Sequence, residues 1–358
     1  MQLTGGFTFT GIGMSLTAAP SELQTVVLIT DINTSPYIKA VRWNSSTAAG
    51  FGTSYSNPSV LPENNIKDAI FDTAGSAVLY ANNSNLGAYT WNSASGFGTK
   101  FSNYNVGGRH LAIAPAGDAV LFTLTNGGLS AVRWNPSTGY GTAYSDPSTP
   151  PPGNCDGLAF CGNDVITNHY NSPYVSAYPW DSSTGFGTKR SNPSTIVTNG
   201  YPTFDRGNSV TASSGAVIIS TYTNPWIYAY AYSSGFGSKY SNPATLPGTV
   251  NAFNVGTGVT LSPSNNAVAI GNGNIQPPYI NVYPWSDISG FGTRYSNPGS
   301  APTAEVTDIA FSPAGDAIIS SENTTTSAWA WTVGSGFGTK YSGSISGTGI
   351  NSVACATL

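Results

Sequence analysis

The chain is 358 residues long and only 8% of it is charged, about a third of the usual share; Ser, Thr, Asn and Gly take up the difference. Aromatic residues reach 12%, which separates it from disordered chains. A net charge of −4 and 12 basic residues with no run of them exclude an electrostatic grip on nucleic acid, and no stretch of about 18 apolar residues is present for membrane insertion.

In chain order, residues 1–24 come first. The run "MQLTGGFTFTGIGMSLTAAP" has no Lys or Arg, and glycines interrupt its apolar residues, so it makes a poor export signal. This segment is expected to stand apart from the body, as an anchor or, through "MSLTAAP" from Met14, as a competitor for a closing strand. The body, 25–358, opens with the strand-like runs "VVLIT" and "YIKAVRW" and then reaches "GFGTSYSNP" from Gly50. The motif returns as "GFGTKFSN" from Gly96, "GYGTAYSDP" from Gly139, "GFGTKRSNP" from Gly185, "GFGSKYSNP" from Gly235, "GFGTRYSNP" from Gly290 and "GFGTKYSG" from Gly336.

Its central aromatics, Phe51, Phe97, Tyr140, Phe186, Phe236, Phe291 and Phe337, stand 43 to 55 residues apart. A period in that range without a helical pattern belongs to β-propeller blades of four short strands. The expected fold is all-β, a single seven-bladed β-propeller with four-stranded antiparallel blades. The clearest unit is residues 306–342: "VTDIAFS" reads as an inner strand, "PAGD" as a turn, "AIISS" as a second strand and "SAWAWT" as a third that alternates with period two. "DAIFDTAGSAVLY" from Asp68 and "LAIAPAGDAVLF" from Leu111 repeat the first hairpin.

Third strands end at Trp43, Trp91, Trp134, Trp180, Tyr232, Trp285 and Trp331, with Val41, Tyr89, Val132, Tyr178, Tyr230, Tyr283 and Trp329 two residues earlier. This stripe is expected to pack between adjacent blades. The flanking glycines of the motif permit a tight turn that drives its central ring inward, and Ser-Asn-Pro ends the outer strand. Pro179 and Pro284 fall inside third strands, so those two blades are expected to carry a bulge or an incomplete outer strand. At the C-terminal end, "INSVACA" (350–356) aligns with "VTDIAFS" (306–312) and reads as an inner strand for the first blade, closing the ring.

The three cysteines set no disulfide framework: Cys155 and Cys161, in an extended run, would be roughly 20 Å apart. No zinc spacing is present, no cofactor is expected, and the 16 carboxylates form no HExxH, GxSxG or P-loop motif. The repeat "WNSASGFGTKFSN" and "WDSSTGFGTKRSNPST" resembles repeats in virion-associated proteins of tailed bacteriophages; its Trp-Asn or Trp-Asp dipeptide is also similar to WD-repeat propellers, which lack GFGT. The resemblance covers residues of about 25–355. It implies a non-enzymatic structural component of a phage virion, on tail or head surface, released by lysis. Other virion proteins are its implied partners, with host-surface polysaccharide as a receptor. A free-standing carbohydrate-binding lectin, a capsid decoration protein with a purely architectural role and a glycan hydrolase are the alternatives.

Three sets of residues are candidates for a site. His110 shares an inner-strand slot with Asp68, Asp156 and Asp308, while Ser209, Gly258 and Ser352 fill the remaining copies. That slot is expected at a channel mouth, either holding a cation or polar ligand or, as favoured, capping turns of its own blades. Lys100, Lys189, Lys239, Arg294 and Lys340 follow GFGT or GFGS in five motifs, Ser54 and Ala143 in the others. They form a basic ring that would meet an anionic partner or keep edge strands apart. Tyr170, Tyr174, Tyr201 and Trp226 lie in less regular blades and are expected as exposed, sugar-binding aromatics.

Overall fold

Each repeat folds as antiparallel strands because short apolar runs alternate with Gly, Pro, Asn and Asp turns. The computed structural model describes residues 24–195, 209–221, 225–247, 255–273 and 279–358; Tyr201 and the segment 1–23 lie outside them. Blade 1 holds Ile350–Thr357, Thr25–Asp31, Ile38–Asn44 and Gly50–Ser54, from the inner to the outer strand. Blade 2 has Ile66–Phe71, Ala77–Asn82, Leu86–Asn92 and Gly96–Lys100; blade 3 has Gly108–Ile113, Ala119–Leu124, Leu129–Asn135 and Gly139–Ala143. Blade 4 consists of Cys155–Cys161, Asp164–His169, Val175–Asp181 and Gly185–Phe186, and blade 5 of Val210–Ala212, Ala216–Ser220, Ile227–Tyr232 and Phe236–Lys239. Blade 6 is built from Val255–Leu261, Ala267–Asn272, Ile280–Ser286 and Gly290–Phe291, and blade 7 from Val306–Phe311, Ala317–Glu322, Thr325–Thr332 and Gly336–Lys340. Each inner strand touches those of the next and the previous blade, and blade 7 touches blade 1, so the seven sheets form a closed propeller.

Closure runs through the C-terminal strand, as the alignment of "INSVACA" implies. Ile350–Thr357 pairs antiparallel with Thr25–Asp31, in a register that sets Leu28 opposite Ala354 and Val26 opposite Ala356. Gln24 and Leu358 extend the ladder by exchanging backbone hydrogen bonds of 2.9 and 3.0 Å.

The repeated motif holds blade to blade. Its central ring stands edge-on to the tryptophan of its own third strand, as in Phe51–Trp43 and Tyr140–Trp134, both with ring centroids 5.1 Å apart. The aromatic four residues later reaches the next blade's tryptophan: Tyr55–Trp91 at 4.8 Å, Tyr144–Trp180 at 4.9 Å, Tyr295–Trp331 at 4.9 Å and, across the closure, Tyr341–Trp43 at 5.0 Å. Its hydroxyl then donates to a backbone carbonyl beyond that tryptophan, Tyr55 to Ser93 at 2.7 Å and Tyr144 to Ser182 at 2.7 Å. The indole N–H groups of Trp43, Trp91, Trp134, Trp180 and Trp331 are buried without an acceptor among the described residues.

The first glycine of the motif is required twice over. In six copies its φ lies between +69° and +87°, and a Cβ there would stand 2.8 to 3.1 Å from the arriving neighbour's ring. Blade 5 is the exception. Arg190 replaces the arriving Tyr and Tyr232 replaces the tryptophan; both bind Asp164, through Arg190 Nε and Nη2 at 2.9 and 3.0 Å and the Tyr232 hydroxyl at 2.6 Å. With no ring arriving, a Cβ on Gly235 would meet nothing within 4 Å.

Pro179 and Pro284 act as their type dictates: the outer strands beside them shrink to Gly185–Phe186 and Gly290–Phe291. Cys155, Cys161 and Cys355 are free thiols. Gly96→Ala is expected to lower stability by about 2–4 kcal/mol, from the positive φ and the collision with Tyr55. Gly299→Ala, where a Cβ meets nothing within 4 Å, should change it by no more than ~0.5 kcal/mol. Urea denaturation of the two variants decides this, and equal midpoints would refute the double requirement.

Candidate functional site

The shared inner-strand slot lies where the seven inner strands converge. Register shifts interrupt the pairing of first and second strands between Ile66 and Asp68, Gly108 and Leu111, Cys155 and Gly157, and Val306 and Asp308. A bulge of this kind re-aims side chains locally. It brings into play residues that strict alternation would separate, Lys67 beside Asp68 and Arg109 beside His110.

Asp68 and Asp308 do not cap their own turns, contrary to the reading favoured from sequence. Asp68 Oδ2 accepts the amide of Leu111 in blade 3 at 2.9 Å, and Oδ1 accepts the Ser352 hydroxyl of blade 1 at 3.0 Å. Asp308 Oδ2 accepts the Val353 amide of blade 1 at 3.0 Å, and Oδ1 accepts the Ile309 amide at 2.8 Å. They are staples between neighbouring inner strands. A Cβ on Gly258 would stand 2.7 Å from Asp308 Oδ1, so the glycine leaves room for that carboxyl. Turn capping falls to other residues: Asp72 accepts the amides of Ser76 and Ala77, and Ser262 and Ser312 do the same in blades 6 and 7. The ring is no metal cage either, since no group of three His, Cys, Asp or Glu residues among the described residues is placed to hold a metal ion.

What gathers at blades 2 to 4 is a mixed cluster. Arg109 Nη1 stands 4.0 Å from Asp156 Oδ1, and its Nη2 donates to the Thr125 carbonyl at 3.4 Å. Burial pushes His110 below its ordinary value; the Asp68 carboxylate opposes this, while Arg109 and Lys67 reinforce it. The imidazole is therefore neutral at pH 7. Asp308 is pushed up to about 7 by burial, reinforced by the Asp68 carboxylate, against the pull of its amide donors. Lys67 and Arg109 escape sequence reasoning because their approach depends on the bulge.

The basic ring is not a free band of charge. Lys100 pairs with Glu63, Lys189 donates to Asn192 at 2.6 Å and Arg294 donates to Asn281 at 2.7 Å. Lys239 and Lys340 lie over the rings of Tyr228 and Trp329 at 5.1 and 5.2 Å. Each is half-buried against its own blade.

The loop aromatics also need correction. Trp226 is 2% exposed, and Tyr170 and Tyr174 are half-buried. Trp226 and Tyr174 have φ of +64° and +67°, and their carbonyls accept the amides of Thr221 and His169 to close the hairpin between second and third strands. Tyr37 and Tyr279 close blades 1 and 6 in the same way. The signal was in the repeat: "SPY", "SPY", "NPW" and "PPY" precede four third strands.

The other histidine, His169, is structural. Its Nδ1 donates to the Asn171 carbonyl at 2.8 Å, which leaves Nε2 to accept the Ser176 hydroxyl at 2.9 Å. Burial pushes its pKa down to about 4. The unfolded chain therefore binds a proton here that the folded chain refuses between pH 6.5 and about 4. Stability present above pH 6.5 should fall by about 3 kcal/mol as the pH drops through that window. Thermal melts of wild type and His169→Gln across the window check this; the variant should lose that part of the pH dependence, and parallel profiles would refute it.

No family model matches the chain, and no curated protein matches it. Solved structures do. A protein from Bacteroides fragilis named as a putative 6-phosphogluconolactonase superposes with a TM-score of 0.73 at 13% identity, covering 94% of this chain and 99% of the other. One from Bacteroides uniformis with the same name gives 0.73 at 14%, covering 93% and 99%. A protein from Lactobacillus plantarum gives 0.72 at 12%, covering 93% and 100%. At such identities the likeness shows the fold alone. These neighbours overturn the expectation of a phage structural component, because two of the three bear an enzyme's name and none that of a phage protein.

Proposed function

We propose that the chain is a small-molecule hydrolase that opens a lactone of an acidic sugar at the inner-strand mouth between blades 2 and 4. One observation carries this reading: in a chain of 8% charged residues, Lys67, Asp68, Arg109, His110 and Asp156 sit together on three adjacent inner strands. The names of the two Bacteroides neighbours support the substrate class.

The chemistry follows from the groups present. Arg109 and Lys67 supply positive charge for the substrate's anionic substituent, Arg109 by its planar fork of donors. Neutral His110 takes a proton from water as the water oxygen adds to the lactone carbonyl carbon. The ring C–O bond then breaks, and the proton passes from the imidazolium to the leaving alkoxide. Asp68, fixed by two donors, stabilises the imidazolium while it exists. Asp156 steadies Arg109 from the third strand of the cluster.

Hydrolysis of 6-phosphogluconolactone and of the unphosphorylated lactone should be measured over the spontaneous rate. The phosphorylated substrate is expected to react faster. His110→Ala should lower kcat by about 10²–10⁴-fold with little change in melting temperature. Arg109→Ala should mainly raise KM for the phosphorylated substrate. A wild-type rate equal to buffer for both lactones, or full activity in His110→Ala, would overturn the reading.

A further inference from the structure

Five blades fill their outer flank in the same manner. The aromatic two residues before the third strand's junction ring (Trp91, Trp180, Tyr232, Trp285 or Trp331) donates to a carbonyl in the connection entering the blade. Tyr89 reaches Val60 at 2.8 Å, Tyr178 reaches Thr149 at 2.9 Å and Tyr230 reaches Thr195 at 2.8 Å. Tyr283 reaches Thr245 and Trp329 reaches Ser300, both at 2.8 Å. Each accepting residue stands two positions after the proline of a Ser-Asn-Pro or Ser-Asp-Pro run, and each of those prolines, Pro58, Pro147, Pro193, Pro243 and Pro298, is buried.

Blades 1 and 3 differ at every part of this device. Their entering connections, "YSGSIS" from Tyr341 and "FSNYNV" from Phe101, have no proline and turn back to bridge the preceding blade, Ser346 with Thr325 and Tyr104 with Leu86. The aromatic is replaced by Val41 and Val132, and the basic residue by their register partners Ser54 and Ala143. At both places a groove opens, about 390 Å³ in blade 1 and 670 Å³ in blade 3. Matching positions line the two: Lys39 and Ser130, Ser54 and Ala143, Tyr55 and Tyr144. The same simultaneous shortening of two side chains in two blades is not the accident of one loop.

The other five blades display what fits such a groove: extended backbone with a proline seated and a carbonyl turned toward the third strand. We infer that the grooves of blades 1 and 3 bind an extended, proline-containing peptide of a partner protein, which takes the place that the chain's own Ser-Asn-Pro connections take elsewhere. Extended proline-bearing segments are stiff before they bind, which lowers the entropy lost on docking. With the ring donors gone, the hydroxyls of Ser54 and Ser130 and the rims of Tyr55 and Tyr144 face the peptide. The two grooves flank blade 2, so a partner with two such segments would gain from engaging both.

The test uses the full chain and the nonapeptide Tyr-Ser-Asn-Pro-Ser-Val-Leu-Pro-Glu, the sequence of residues 55–63. Titration of the fluorescent peptide should reveal two sites, at least tenfold weakened when both peptide prolines become alanine. Val132→Tyr with Ala143→Lys should remove one site, and adding Val41→Tyr with Ser54→Lys should remove the other, with lactone hydrolysis unaltered. A photo-crosslinking version should attach to wild-type residues around Tyr144 and Tyr55, which locates the sites without any variant. No binding at 1 mM peptide, undiminished binding by the filled variant, or crosslinks elsewhere would overturn the inference. So would a maltohexaose probe that occupies the grooves while the peptide does not.

Discussion

Everything in this propeller depends on a ring laid across a glycine. Where one blade's motif turns, the backbone takes a positive φ and presents bare Cα to the incoming Tyr or Phe of the blade before it. That ring then meets the tryptophan edge-on, and the tryptophan is already held from its other side by its own blade's Phe or Tyr. Three side chains and one missing side chain thus form a unit that sets the spacing between neighbouring sheets. Sheets of so few residues could not stand alone. Repeating the unit around the ring gives each sheet two packed faces.

The blade 4–blade 5 junction shows that the unit is cooperative in its chemistry. Once the arriving residue is Arg190, an aromatic partner offers less than a carboxylate, and Asp164 supplies it. The receiving tryptophan becomes Tyr232, whose hydroxyl joins the same carboxylate, and the turn glycine loses the contact it serves elsewhere. The Asp164 carboxylate is buried while Arg190 keeps contact with solvent, and the Tyr232 hydroxyl shares the carboxylate, which limits the cost of taking that charge out of water. One substitution in the repeat is intelligible only with the others.

Much of the fold was legible because it is written repeatedly. The period, the stripe of aromatics, the strand-shortening effect of Pro179 and Pro284 and the closing role of "INSVACA" all follow from aligning the chain with itself. The site was legible only in part. Self-alignment placed Asp68, His110, Asp156 and Asp308 in one slot, yet it could not show that two of these carboxylates would reach amides of the next blade, since that depends on how inner strands lean together. Nor could it show the bulge that brings up Lys67 and Arg109. Trp226 was misread as exposed because its loop looked irregular, although its proline-aromatic pair matched three other blades. The expectation of a phage structural role failed for a related reason: it rested on GFGT, a motif occupied with blade contacts, and scaffold residues of this kind say little about what the scaffold carries.

The indoles at the blade junctions also make the ring observable. Five of them are buried with an N–H that finds no acceptor among the described residues, in surroundings made of other rings. Indoles shielded in this manner emit at shorter wavelengths than hydrated ones, and each lies where two blades meet. Parting of a junction that holds such an indole would therefore hydrate a particular tryptophan and redden its light; the blade 4–blade 5 junction, with Tyr232 in that place, would stay dark. The molecule carries a set of internal fluorophores distributed around its circumference, one seam to each.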